Sequence, residues 1–369
     1  IGIMQDHLEQ SQYGTGSEAV LQLSIVVSVA DSLLNLLSIV AQILLSKFDL
    51  RTVMFMAGML CTLGLELASL NTEIWHLIIS IGIIFGSGSS VFFYASNVLI
   101  PQWLHKKQGI ALGIVSCGGC IGGCALPFIM TSLNHSFGSK WCFRVLGFIC
   151  FVTFSVAALL LKDKKKRQPQ KIKDIVDFSV LKNKNLLIWC LADNIIEAAF
   201  YVPYFFVPSH ATSLGLSDTK TSIIISLSFA VSGLGRIAAG HIGDRIGYIN
   251  VTIISCVIAS LSSFLMWTLA NDFVTLLAFA CVYGLTAGVF QSLGASITNV
   301  VEKDKFESAY TIFLILTAIS FYGLNVVAVI EAPNFLTAKI FTGLAYFVGA
   351  LNLLYLKSRL SDQFFLSRL

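Results

Sequence analysis

The chain has 369 residues, 56% hydrophobic and only 12% charged, with a mean hydropathy of +0.82 and a net charge of +4. Soluble domains carry about 25% charged residues, because water-facing surface needs them. This composition excludes a fold with an aqueous surface all round and calls for lipid as solvent. The positive balance does not mark a nucleic-acid binder, since the basic residues sit in short gaps between apolar runs. Nine cysteines, an odd count lying mostly inside those runs, argue against a disulfide framework.

Apolar runs fall at about 20–46, 52–71, 75–100, 108–133, 142–161, 186–209, 221–241, 248–270, 273–299, 307–330 and 336–356. Each approaches the roughly 20 residues that a helix needs to cross the hydrocarbon, and none alternates as a barrel strand does. The expected class is therefore an all-α membrane protein. Ile1-Gly2-Ile3-Met4, turning polar at Gln5-Asp6, reads as the tail of a further helix. Counting it makes twelve, with the first helix largely absent from this chain.

The longest polar stretch divides these helices six and six. The expected layout is an N-terminal half at 1–161, a basic linker at 162–185, and a C-terminal half at 186–369 that ends in a short tail. One alternate set of loops, with linker and tail, holds 19 of the 24 Lys and Arg residues. Lys and Arg accumulate on the cytoplasmic side, so linker and C-terminus are expected there. The expectation is a multi-pass protein of the plasma or vacuolar membrane.

An ionisable group inside the hydrocarbon costs a few kcal/mol or more and faces a partner or a water-filled cavity. Asp31, Glu66, Asp193, Glu197 and Arg236 are such groups. Asp193 and Glu197 are four residues apart and share one helix face. Arg236 follows Ser232-Gly233-Leu234-Gly235, whose glycines admit a neighbouring backbone or a ligand. Its planar guanidinium suits a substrate carboxylate; the bland alternative is a helix-locking pair with Asp193 or Glu197. Tyr94, Asn97, Asn194, Tyr201 and Gln291 are further polar candidates for a solute path, with ordinary helix packing as the alternative. Pro203, in Tyr201-Val202-Pro203-Tyr204, should free a backbone carbonyl and bend its helix. Cys117, Cys120 and Cys124 lie in a Gly-rich run without a neighbouring His, which favours packing over metal. No catalytic pair, zinc motif or phosphate loop has its required spacing, so neither an enzyme nor a cofactor is expected.

Two loop motifs carry a resemblance. Gly240-His241-Ile242-Gly243-Asp244-Arg245-Ile246-Gly247 resembles the G-x-x-x-D-R-x-G signature of the major facilitator superfamily, and Ser46-Lys47-Phe48-Asp49-Leu50-Arg51 is its weak echo. Physically, the Asp can cap a helix while the Arg reads cytoplasmic charge. Gln102-Trp103-Leu104-His105-Lys106-Lys107-Gln108-Gly109-Ile110-Ala111-Leu112-Gly113 resembles the opening of the fifth helix in monocarboxylate transporters. The Gln-Trp form and the region of Trp141 resemble the fungal branch.

The resemblance implies a major facilitator fold of two six-helix halves and a secondary transporter working by alternating access. Its cargo would be a small organic solute, such as a monocarboxylate or related organic anion, with protons as possible co-substrate. Arg236 would bind the anion; Asp193, Glu197, Gly240, Asp244, Arg245, Lys106 and Lys107 would couple or gate. Ser232 stands where the family's acidic partner is expected. The alternatives are a facilitated or proton-linked carrier of another metabolite such as riboflavin, with tyrosines stacking the solute, and a non-transporting membrane sensor or remnant. The sequence names no accessory membrane protein.

Overall fold

The computed structural model describes residues 17–104, 107–162, 176–323, 327 and 335–361. Their regular elements are helices, as hydrocarbon demands of a lone segment: a helix pairs its backbone N–H and C=O groups within itself. The first apolar run is α1 (Ser17–Leu36) and α2 (Ser38–Lys47), bent by 42° at their junction. No proline stands there. Asn35 Nδ2 donates to the Asp31 carbonyl at 2.9 Å, competing with the helix ladder just before the bend.

Helix α3 (Leu50–Ala68) begins at Asp49, whose carboxylate accepts from the Arg51 and Thr52 N–H groups. Next come α4 (Ile74–Trp103), with a π-helical stretch at Ile78–Phe85, then α5 (Gln108–Phe137) and α6 (Ser139–Leu160). Beyond the linker, α7 (Lys184–Phe200) and α8 (Val202–Ser213) form one span broken at Tyr201. They are followed by α9 (Asp218–Ile246) and α10 (Tyr248–Trp267). The next span is α11 (Phe273–Ala287) and α12 (Val289–Val301), broken at Gly288. Last come α13 (Phe306–Thr317) and α14 (Leu336–Leu360).

Among the described residues nine helices are long and apolar enough to cross a bilayer, or ten with the bent α1–α2 pair as one span. The run expected at 307–330 is seen in its first part, α13 and a 3₁₀ turn at Ser320–Tyr322. Most of its remainder, and the Ile1 to Met4 stretch, lie outside the described residues.

The chain forms two compact units, and their limits differ from a simple cut at the linker. One gathers the described residues of Ile1–Gln102, Leu126–Phe178 and Thr311–Phe321; the other gathers those of Trp103–Ala125, Ser179–Tyr310 and Tyr322–Leu369. The first unit has a core of Leu23, Val26, Ala68, Leu77, Met130, Cys142 and Phe143. Many of its large outward side chains are apolar, Met56 at 65% and Leu160 at 74% exposure among them, a surface that only lipid solvates well.

The end of the expected linker is ordered into structure. A 3₁₀ turn at Phe178–Lys182 buries Val180, and Ser179 Oγ meets Lys305 Nζ at 2.7 Å. Asn183 caps α7 with its Oδ1 and donates from Nδ2 to Glu302 at 2.8 Å. One apolar side chain and three polar contacts thus hold residues 179–183 within the second unit.

Candidate functional site

The second unit holds the site, and glycines set its geometry. A Cβ placed on Gly113 of α5 would lie 2.5 Å from the Arg236 carbonyl, and one on Gly233 would lie 2.8 Å from Cys117 Sγ. Gly235 presses on the Leu285 carbonyl of α11 in the same way. The glycines around Arg236 therefore admit neighbouring helices, the first of the two uses the sequence allowed. Cys124 Sγ, 3.4 Å from the Ser226 carbonyl, belongs to the same packing of α5 on α9. Among the described residues no cluster of His, Cys, Asp or Glu is arranged to hold a metal.

Arg236 is half-buried, and its guanidinium lies against Gly288 at the α11–α12 break. A Cβ there would sit 2.7 Å from Nη2 and 2.9 Å from Nε. The helix-locking pair weighed from sequence is replaced by a longer arrangement. Arg236 Nη2 donates to Gln291 Oε1 at 3.0 Å, and Gln291 Nε2 donates to Glu197 Oε1 at 2.8 Å. Arg236 Nε is buried without a hydrogen-bond partner. A neutral amide is thus interposed between cation and carboxylate, and part of the guanidinium fork is left for another acceptor. Asp193, one turn before Glu197 and also buried, lies within electrostatic reach of Cys190 and Cys256 instead.

Aromatic rings close the surroundings. Tyr204 stacks on Phe229 at 5.1 Å and meets Phe200 at 5.5 Å and Tyr283 at 5.9 Å. Its hydroxyl is buried beside Ser228 and Ser232 but makes no well-formed hydrogen bond. A small cleft lined by Tyr204, Ser228, Phe279 and Tyr283 has a volume of about 10 Å³, room for about one water.

The remaining candidates serve varied ends. Asn194 and Asn97 turn their amides back on the Cys190 and Phe93 carbonyls of their own helices. Tyr201 sits at the α7–α8 break with its ring against Phe200. Tyr94, in the first unit, is fully buried with its hydroxyl 3.4 Å from Thr311 Oγ1. Asp244 accepts from the Gly109 and Ile110 N–H groups at 2.9 and 3.1 Å, and from the Tyr248 hydroxyl at 2.8 Å. It caps the start of α5, where the helix dipole favours an anion. Gly240 allows this by bringing its backbone onto that of Gly109. Arg245 and Lys107 are exposed; Lys106 lies outside the described residues. Sequence reading named Gly113 only within the fifth-helix motif and did not single out Gly288, because only the folded chain reveals what a bare Cα faces.

The sequence pattern of the Major Facilitator Superfamily matches residues 10–321 and 190–362. The chain belongs to that superfamily. Among its superfamily relatives, it is 25% identical over 245 residues to an MFS-type transporter of Gibberella moniliformis, covering 66% of this chain and 59% of the relative. It is 26% identical over 339 residues to an uncharacterized transporter of Saccharomyces cerevisiae, covering 87% and 50%. With Monocarboxylate transporter 4 of Gallus gallus it shares 26% identity over 289 residues, covering 74% and 61%. The chain thus spans 50 to 61% of the length of these three relatives. The major facilitator fold is seen directly in solved structures. The Escherichia coli fucose:proton symporter FucP superposes with a TM-score of 0.73 over 96% of this chain and 93% of that one, at 14% identity. The proton:xylose symporter XylE gives 0.75 over 95% and 90%, at 12% identity. At such identities the likeness is one of fold.

Proposed function

We propose that this chain is a secondary carrier of a small organic anion, with Arg236 as the group that binds its carboxylate. The observation that carries the reading is the Arg236 guanidinium, which donates to the neutral Gln291 amide and keeps Nε unpartnered. A cation within a membrane span needs a compensating anion. An incoming carboxylate would accept two hydrogen bonds from the guanidinium fork, which is the strongest form of this pairing. Relatives named as MFS-type transporters and as a monocarboxylate transporter support the class. Alternating access is the mode expected of the fold, with the Asp244 cap on α5 as a contact that one state makes. On this reading the carrier works in the plasma or vacuolar membrane, and the excess of Lys and Arg in the linker and tail supports a cytoplasmic side for both.

A second reading is a carrier of a flat aromatic metabolite such as riboflavin. The rings of Phe200, Tyr204, Phe229 and Tyr283 favour it, since aromatic walls stack flat solutes. Uptake into reconstituted vesicles, screened with short-chain carboxylates and with flavins, separates the two. Saturable uptake of a carboxylate that riboflavin does not inhibit supports the anion reading. Uptake of riboflavin alone overturns it.

A further inference from the structure

The turn between α5 and α6 opens onto a cleft that shares no residue with the Arg236 site. Gly138 alone joins the two helices, and its φ of +81° is one that glycine adopts without strain. A Cβ at Gly138 would meet nothing within 4 Å. The cleft has a volume of about 340 Å³ and is lined by Phe137, Gly138, Ser139, Lys140, Trp141 and Arg144. Two of these residues are cations and none is an acid.

Lys140 and Arg144 are four apart on α6 and share one face of it. The Arg144 guanidinium sits 5.1 Å from the centre of the Trp141 ring, and its Nε approaches Ser69 Oγ at 3.4 Å. The Glu66 carboxylate lies against Gly147, three residues further along α6. Neither Lys140 nor Arg144 forms an ion pair with it or with any other acid among the described residues.

Trp141 also heads an exposed apolar stripe on α6. Phe148, Val152, Val156 and Leu159 follow it at helical spacing, and all are exposed. From Trp141 to Val152 the helix rises about 16 Å, half of a hydrocarbon core roughly 30 Å thick. A tryptophan at the end of such a stripe sits at the boundary between hydrocarbon and water. Lys and Arg placed there hold their charges up among the headgroups.

We propose that this cleft binds the phosphate of an anionic phospholipid, with an acyl chain of that lipid lying along the α6 stripe. The planar Arg144 fork grips two phosphate oxygens, and Lys140 adds a mobile point charge. Trp141 covers one face of the guanidinium and so orients it. A free phosphate would use the two cations but leave the exposed Phe137 and Trp141 rings and the stripe below them without a role. A zwitterionic headgroup would bring a third cation to a cleft that already holds two. Binding makes and breaks no covalent bond, and it is independent of what Arg236 carries.

The test is native mass spectrometry of the purified full chain in detergent, titrated with phosphatidylglycerol, phosphatidylcholine or inorganic phosphate. Wild-type protein should retain phosphatidylglycerol in preference to phosphatidylcholine, and millimolar inorganic phosphate should not displace it. Lys140→Gln, a change at an exposed side chain, should weaken phosphatidylglycerol about tenfold, the value of one hydrogen bond to a charged group. Lys140→Gln combined with Arg144→Gln should remove the preference. Lys220→Gln deletes a cation that likewise faces an aromatic ring, that of Phe273 at the start of α11, and should bind as wild type does. Equal retention of the two lipids, wild-type affinity in Lys140→Gln, an equal loss in Lys220→Gln, or displacement by inorganic phosphate would each overturn the proposal. An unchanged melting temperature for Lys140→Gln separates a lost site from misfolding, and that single variant decides the matter if the double variant fails to fold.

Discussion

The Tyr283 hydroxyl donates to the Phe200 carbonyl at 3.0 Å, bridging α11 to the broken end of α7, and lies 3.5 Å from the Ala199 carbonyl. Pro203 lacks the N–H that would serve Ala199 in an unbroken helix. In hydrocarbon the carbonyls beside such a break need donors; the Tyr201 N–H serves Ala199 and the Tyr283 hydroxyl serves Phe200. Tyr283→Phe should lower stability by about 1 kcal/mol, seen as a lower melting temperature in detergent. An unchanged melting temperature would mean that the break is satisfied by other means.

Gly240 and Gly109 meet backbone to backbone, so no flexible side chain is available to yield. Gly240→Ala forces α9 away from α5 and should cost about 1–3 kcal/mol. Thermal unfolding of the purified variant measures it. Wild-type stability in that variant would show that the two helices approach less closely than described.

Asp244 is a shared acceptor for two α5 N–H groups and the Tyr248 hydroxyl. Asp244→Ala removes a helix cap, with an expected loss of about 0.5–2 kcal/mol. Increased hydrogen exchange at the start of α5 is the matching local signature. Exchange there equal to wild type would count against the cap.

Spans, and one of the breaks within them, were open to reading from the sequence because they depend on local properties. Apolar runs near 20 residues required helices, and Pro203 marked the interruption of α7–α8. The Gly288 break had no such marker. Which polar side chains meet across helices was not legible either. Asn194 adjoins Asp193 in sequence, yet its amide turns to the Cys190 carbonyl. Gln291 looked no more distinctive than Asn194, and it joins Arg236 to Glu197. The difference lies in helix rotation and partner distance, which no periodicity encodes. The limits of the compact units were hidden for the same reason: Trp103–Ala125 and Thr311–Phe321 follow their contacts rather than their place in the chain.

Gly288 offers a contrast with Gly240. A Cβ at Gly288 would meet the far end of the Arg236 side chain, which can move aside. Gly288→Ala should therefore fold normally and displace the guanidinium. A displacement on the ångström scale at a binding group costs on the order of 100-fold in turnover or affinity. A raised half-saturation concentration with unchanged melting temperature is expected. Unaltered transport kinetics would remove the guanidinium position from the mechanism.

Arg236 is where the account is most exposed. Counterflow of pyruvate in proteoliposomes should be abolished in Arg236→Ala and greatly reduced in Arg236→Lys, since an ammonium keeps the charge without the planar fork. Both variants should be recovered as intact, monodisperse membrane protein. Wild-type counterflow by correctly inserted Arg236→Ala would contradict the central claim that this guanidinium binds the solute.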